Sequence, residues 1–267
     1  MRLNTILFLF ITIFHNAYSQ EENLEMKLDS IIAEADLMYK YEKAVWISTD
    51  LLMSDKKLKK NYGGYVVRHE TDSIFVTYLD KNQKESIARY VFVDPNFNKP
   101  CQISLETSSL TLLEKELLDT KLKMINQLSD SKYNISFPQG FNPNFVLIKA
   151  NTIFKLYLIM GTSEAGVIPF GNDYLFESDI EGNITNWKKF HSRMIPTYSK
   201  GPNGEIVVSV IHSHLKTTPY ITATDICTFR LYGELCGIGE FMVLCTATGK
   251  YYKYILKIYF DISRYRA

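Results

Sequence analysis

Two histidines and an aspartate in the segment His212 to Asp225 have the residue types and the spacing to bind a metal ion. His212 and His214 are separated by one residue, and Asp225 follows eleven residues after the second histidine. Side chains of a β-strand alternate between its faces, so in a strand both imidazoles would point the same way, about 7 Å apart. Because zinc binds imidazole and carboxylate groups, we expect His212, His214 and Asp225 to be its ligands.

The elements around these residues must bring the aspartate back to the histidines. The apolar run IVVSVI before His212 predicts a buried strand, and residues 224–236 predict a helix after a polar loop. Thr224 or Asp225 is suited to cap that helix, and helix N-termini return to strand ends in layered folds. A further strand, EFMVLCTA, is predicted after the helix.

The same residues resemble a family signature. His-Ser-His, seven residues, Thr222, two residues and Asp225 are similar to the H-x-H-x7-[ST]-x2-D pattern of the JAMM (MPN+/JAB1) metalloproteases. That pattern also has an upstream glutamate, and Glu164 precedes His212 by 48 residues in the context Glu-Ala-Gly-Val. Leu215 stands where the family usually has proline. The resemblance covers roughly residues 155–256.

The resemblance implies a role for each of these residues. His212, His214 and Asp225 would bind zinc, which acidifies its bound water and polarises the scissile carbonyl. Glu164 would be the general base that moves a proton from that water to the leaving amine. Thr222 would donate a hydrogen bond to the oxyanion. Iron or manganese would accept the same ligands.

A plainer interpretation of these residues stays open. His212 and His214 would then hydrogen-bond backbone groups at a strand end, while Thr222, Thr224 and Asp225 only cap a helix. Three other polar residues are near the segment in sequence. We expect His191 to be a surface histidine rather than an accessory ligand, and Asp173 and Glu205 are spare carboxylates.

The first residues, the charge and the cysteines of the chain limit the class of protein to which it can belong. Residues 1–19 have a basic start, a short apolar stretch and an Ala-Tyr-Ser cleavage site, which predict a signal peptide and a secreted or periplasmic protein without a transmembrane anchor. The remaining residues carry 29 basic and 29 acidic side chains, so nucleic acid is not an expected partner. Four cysteines without C-x-x-C spacing favour buried apolar positions, and one disulfide of undetermined pairing is compatible with export.

We predict an α+β protein with a division near residue 145. Residues 20–144 would form an N-terminal α+β region with helices at 22–41 and 109–128 and strands at 63–70, 73–79 and 85–93. Residues 145–267 would form a JAMM-like sheet with one helix inserted after the H-x-H strand.

The predicted function is zinc-dependent hydrolysis of a peptide or isopeptide bond by metal-activated water, with a peptide or protein as substrate. The alternative is a non-catalytic binding or structural protein on the same scaffold. A zinc hydrolase of a non-protein amide is a further alternative. The sequence leaves the substrate and the oligomeric state open.

Overall fold

The protein is α+β, as predicted. The structure is a computed structural model that describes the backbone of residues 3–95 and 97–256, with side chains from residue 23 onwards. The predicted signal peptide lies outside the part with described side chains and stays a prediction. Within the described residues, no helix has both the length and the apolar character needed to cross a membrane.

The three predicted helices are present with different bounds, together with one short helix at Lys56–Asn61 that was not predicted. They are α1 (Leu3–Ser54), α2 (Lys56–Asn61), α3 (Leu112–Gln127) and α4 (Ala223–Tyr232), with a short 3-10 turn at Ser131–Tyr133. The predicted helix at 22–41 is too short, since α1 continues to Ser54. Its continuation is explained by Ala44, Ser48 and Leu52, which repeat every four residues and are fully buried.

The N-terminal strands form one antiparallel sheet. They are β1 (Tyr62–Glu70), β2 (Ser73–Asp80), β3 (Glu85–Val93), β4 (Gln102–Ser104) and β5 (Ser108–Ser109), in the order β1-β2-β3-β4, with β5 also paired to β3. The three predicted strands are therefore confirmed. A tight turn joins β2 to β3, where the Gln83 N–H donates to the Asp80 carbonyl (2.9 Å).

The remaining strands form three small sheets. They are β6 (Asn142–Ala150), β7 (Ile153–Gly161), β8 (Val167–Gly171), β9 (Tyr174–Ser178), β10 (Ile184–Lys189), β11 (Met194–Tyr198), β12 (Ser209–His214), β13 (Glu240–Cys245) and β14 (Lys250–Ile255). The sheet orders are β10-β9-β7-β6, β11-β8 and β12-β13-β14. The predicted boundary near 145 falls inside β6, and the division into two domains stays a prediction.

β12, α4 and β13 form a β-α-β unit that carries the segment of interest. β12 and β13 pair in parallel, with His212 opposite Val243 and His214 opposite Cys245. Parallel neighbours need a crossover connection, and α4 supplies it. The predicted order of H-x-H strand, helix and strand is confirmed, although α4 ends at Tyr232 rather than 236.

One hydrophobic core links the helices to the sheets around α4. It includes Met38 of α1, Tyr78 of β2, Ile159 of β7, Phe229 of α4 and Phe241 of β13. α1 also lies directly on α4, where the Arg230 guanidinium donates to Asp36 (2.7 Å). The packing fixes α4, and with it the position of Asp225, against both halves of the chain.

All four cysteines are free thiols. Cys227, Cys236 and Cys245 are buried, as expected for small apolar positions, whereas Cys101 is exposed. The disulfide that the sequence allowed is not formed in this structure.

Candidate metal centre

β12 places both histidines of the H-x-H pair on one face, as the strand alternation predicts. His212 and His214 are buried, whereas Ile211 before them and Ser213 between them are exposed. The strand end is held by Thr246, whose hydroxyl donates to the His214 carbonyl (2.7 Å). The two Nε2 atoms lie 3.2 Å apart.

A capping box at the start of α4 fixes the aspartate. The Thr222 hydroxyl accepts from the Asp225 N–H (3.2 Å), and the Thr222 N–H donates to Asp225 Oδ2 (3.0 Å). The same hydroxyl donates its own proton to Asp225 Oδ2 (2.6 Å). The interpretation of Thr222 and Asp225 as a helix cap is therefore correct, but it occupies only one carboxylate oxygen. Oδ1 of Asp225 is buried, accepts no hydrogen bond and remains available to a ligand.

His191 lies in the same site, so the expectation of a surface histidine is wrong. It follows β10, is only 4% exposed, and places its Nε2 2.8 Å from the Nε2 of His214. The backbone positions it, because the N–H of Phe190 donates to the Asp173 carbonyl (3.0 Å). The Asp173 carboxylate then binds His191 Nδ1 (2.6 Å).

Four side chains thus converge on one point. Ligand atoms of His191, His212, His214 and Asp225 all lie within 4.8 Å of one another. Asp225 Oδ1 is 3.2 Å from His212 Nε2 and 3.4 Å from His191 Nε2. Ligands of a tetrahedral zinc with bonds of 2.0–2.1 Å are about 3.3 Å apart. The cluster therefore has dimensions compatible with a metal site.

Hydrogen bonds on the far side of two rings fix which nitrogen faces the centre. His191 Nδ1 meets the Asp173 carboxylate and His214 Nδ1 meets the Tyr220 carbonyl (2.6 Å). Because both oxygens only accept, each Nδ1 carries a proton, and each ring in its neutral form presents the bare lone pair of Nε2 inwards. Two lone pairs 2.8 Å apart repel each other unless a proton or a cation lies between them.

The pKa shifts in the metal-free cluster also favour a proton or a cation between these nitrogens. Burial opposes protonation of His191, but the charges of Asp173 and Asp225 outweigh it and raise the pKa of His191 to about 9. Burial would raise the pKa of Asp225, yet the neighbouring His191 and His212 hold it well below its usual range. A positive charge is therefore favoured at the centre of the cluster.

Outer contacts hold the ligands in place. The Thr224 hydroxyl donates to the second oxygen of Asp173, which ties the carboxylate behind His191 to the first turn of α4. Apolar rings cover His212, with Phe170 at 5.2 Å between ring centroids and Phe241 stacked at 6.2 Å. Such outer partners fix ring orientation and tautomer in metal sites.

Glu164 is not among the residues that the structure brings together. It is exposed in the loop before β8, and its backbone N–H donates to the Thr162 hydroxyl (3.1 Å). Asp173, which does reach the cluster, follows the other end of β8, and five strand residues span about 17 Å. Glu205 binds Asn203 at the surface and takes no part.

No signal of spacing identifies His191 in the sequence, because the loop after β10 brings it to β12 across 21 residues. The one hint in the sequence was Asp173, a spare carboxylate upstream of the motif, which binds His191 in the structure. Comparison with protein-family models, with curated proteins and with solved structures found no match to this chain.

Proposed function

We propose that the protein binds one zinc ion through Nε2 of His191, His212 and His214 and Oδ1 of Asp225. The observation that carries the proposal is the convergence of three inward-facing imidazole nitrogens on a buried carboxylate oxygen that accepts no hydrogen bond. Three nitrogens and one oxygen at tetrahedral spacing suit zinc better than magnesium or calcium, which prefer oxygen ligands.

The number of protein ligands favours a structural zinc site over a catalytic one. Four protein ligands fill a tetrahedral zinc, as in structural sites, whereas catalytic sites keep one position open. All four residues are at most 9% exposed. The bound zinc would join β12, the start of α4 and the loop after β10, three parts of the chain that are distant in sequence.

Zinc-dependent hydrolysis of a peptide or isopeptide bond is a second candidate. It is favoured by the signature residues His212, His214 and Asp225, which occupy a strand and a following helix in the order of the JAMM proteases. In this candidate His191 is not a ligand and water takes its place. Glu164 would be the base and Thr222 the oxyanion donor. It requires Glu164 to approach the metal, and it requires the Thr222 hydroxyl to leave Asp225.

Metal content of purified variants tests the proposal and separates the candidates. We expect about one zinc per chain by elemental mass spectrometry, and none in a His212→Ala/His214→Ala double variant. His69→Ala is the matched control, because His69 bonds to Tyr41 away from the cluster (2.7 Å) and should leave the zinc in place. A wild type that takes up no zinc on reconstitution would refute the proposal.

His191→Ala discriminates between the two candidates. If His191 is a ligand, the variant should lose zinc to a competing chelator at least about 100-fold more readily than wild type. If the site is a three-ligand hydrolase, the variant should keep its zinc and its peptidase activity. Activity lost in Glu164→Gln with zinc retained would support the hydrolase.

A further inference from the structure

A cavity lies at the other end of α4. It has a volume of about 340 Å³, is partly open to solvent, and is enclosed by α1, the start of β6, the end of β7 and the last turn of α4. Asp225 is in the first turn of α4 and Tyr232 at its end, so about 10 Å of helix separates this cavity from the metal cluster. Its volume is within the range of small-molecule sites, about 300–1,000 Å³.

The cavity contains one acidic group and two aromatic rings. Glu42 lines it and is only 8% exposed. Trp46, one helical turn further along α1, and Tyr232 form its aromatic wall, with ring centroids 5.5 Å apart. The Tyr232 hydroxyl accepts from the Thr162 N–H (3.3 Å), which leaves its own proton free to donate.

The Glu42 carboxylate has no bonded counter-ion. Within the described side chains, no Lys, Arg or His nitrogen lies within 4.0 Å of it. Lys121 shares a separate, water-sized internal void with Glu42, and Asn144 lines the same cavity as Glu42. Burial raises the pKa of Glu42 to about 7, with Lys121 and Asn144 opposing the rise. An incoming cation would stabilise the ionised form of this buried carboxyl group.

We propose that this cavity binds a small organic ammonium ion, with its positive charge at the Glu42 carboxylate and its body against the rings of Trp46 and Tyr232. Aromatic faces attract ammonium groups, and the attraction increases when the cation is removed from water. An anionic ligand would be repelled by Glu42. The proposal is independent of zinc.

Calorimetric titration with choline tests the proposal, and 3,3-dimethylbutan-1-ol is the matched neutral probe of the same shape. We expect choline to bind at least about tenfold more tightly than the alcohol. Equal affinities, or no binding of choline at concentrations up to about 50 mM, would overturn it.

Three variants locate the bound cation. Glu42→Gln keeps the shape but removes the charge, and we expect choline affinity to fall at least about tenfold. Asp50→Asn is the control, an exposed acid two turns further along α1, and should bind as wild type does. In Gly161→Ala the added Cβ would come within 3.0 Å of Asn144 Nδ2 and 3.2 Å of Tyr232 Oη, so it should also weaken binding.

Tryptophan fluorescence gives an independent location. The chain has two tryptophans, and Trp187→Phe leaves Trp46 as the only one. Choline should change the emission of this variant, and adding Glu42→Gln should abolish the change at the same concentration. Choline binding that is unaltered by Glu42→Gln and by Gly161→Ala would show that the cation binds elsewhere, which contradicts the proposal. Thermal unfolding of each variant verifies that it is folded.

Discussion

Zinc binding should be linked to one proton held by His191. The pKa of His191 is raised to about 9, so in the metal-free protein the proton is held below about pH 9 and lost above it. Zinc needs the unprotonated Nε2, and the proton therefore competes with the metal at neutral pH. The apparent zinc affinity should therefore rise with pH, by about tenfold per unit well below pH 9 and by about 50-fold between pH 7 and 9.

Calorimetry in buffers of different ionisation enthalpy measures the protons released. At pH 7.5, below the raised pKa of His191, the imidazole holds its proton in the metal-free protein, so wild type should release about one proton more than His191→Ala on binding zinc. Asp173→Asn removes the carboxylate that stabilises the imidazolium, and it should move the pH dependence to lower pH. Equal proton release by wild type and His191→Ala at pH 7.5 would refute the assignment of His191 as a ligand.

Three further outcomes follow from the contacts. Removing zinc with a chelator should lower the melting temperature by about 8–16 °C, since a ligand at 1,000 times its Kd adds about 4 kcal/mol, and a calorimetric scan checks this. Thr222→Ala should destabilise by about 1–3 kcal/mol in urea and loosen Asp225, whereas Thr222→Ser should remain within about 0.5 kcal/mol. Despite its burial, Glu114 has its pKa lowered to about 2 by Arg89 and Thr77. The interactions of ionised Glu114 therefore stabilise the fold fully above about pH 4.5, and this stabilisation is lost as the pH falls towards 2. Glu114→Gln should lower the free energy of unfolding by about 3 kcal/mol at pH 7, and the variant should not lose this stabilisation in acid. The same dependence of unfolding free energy on pH in wild type and variant would contradict this prediction.

Local patterns in the sequence identified the parts of the site that depend on local structure. Strand alternation placed His212 and His214 on one face, and capping preferences placed the start of α4 at Thr224 or Asp225, close to the observed N-cap at Thr222. Both are rules of neighbouring residues, so they hold whatever the rest of the chain does. The α+β class and the first three strands followed from similar periodicity.

Contacts between segments that are distant in sequence could not be predicted from such local rules. His191 reaches the cluster because a backbone bond from Phe190 to Asp173 and the side-chain pair Asp173–His191 place the loop after β10 against β12. Nothing in the spacing of these residues indicates that contact. The expected role of Glu164 rested on a separation of 48 residues, which does not determine at which end of β8 a residue lies.

X-ray absorption at the zinc edge of the reconstituted protein would identify the atoms that bind the metal. We expect one zinc per chain with three imidazole nitrogens and one oxygen at about 2.0–2.1 Å. Sulfur at about 2.3 Å, or fewer imidazoles than three, would contradict the assigned ligands.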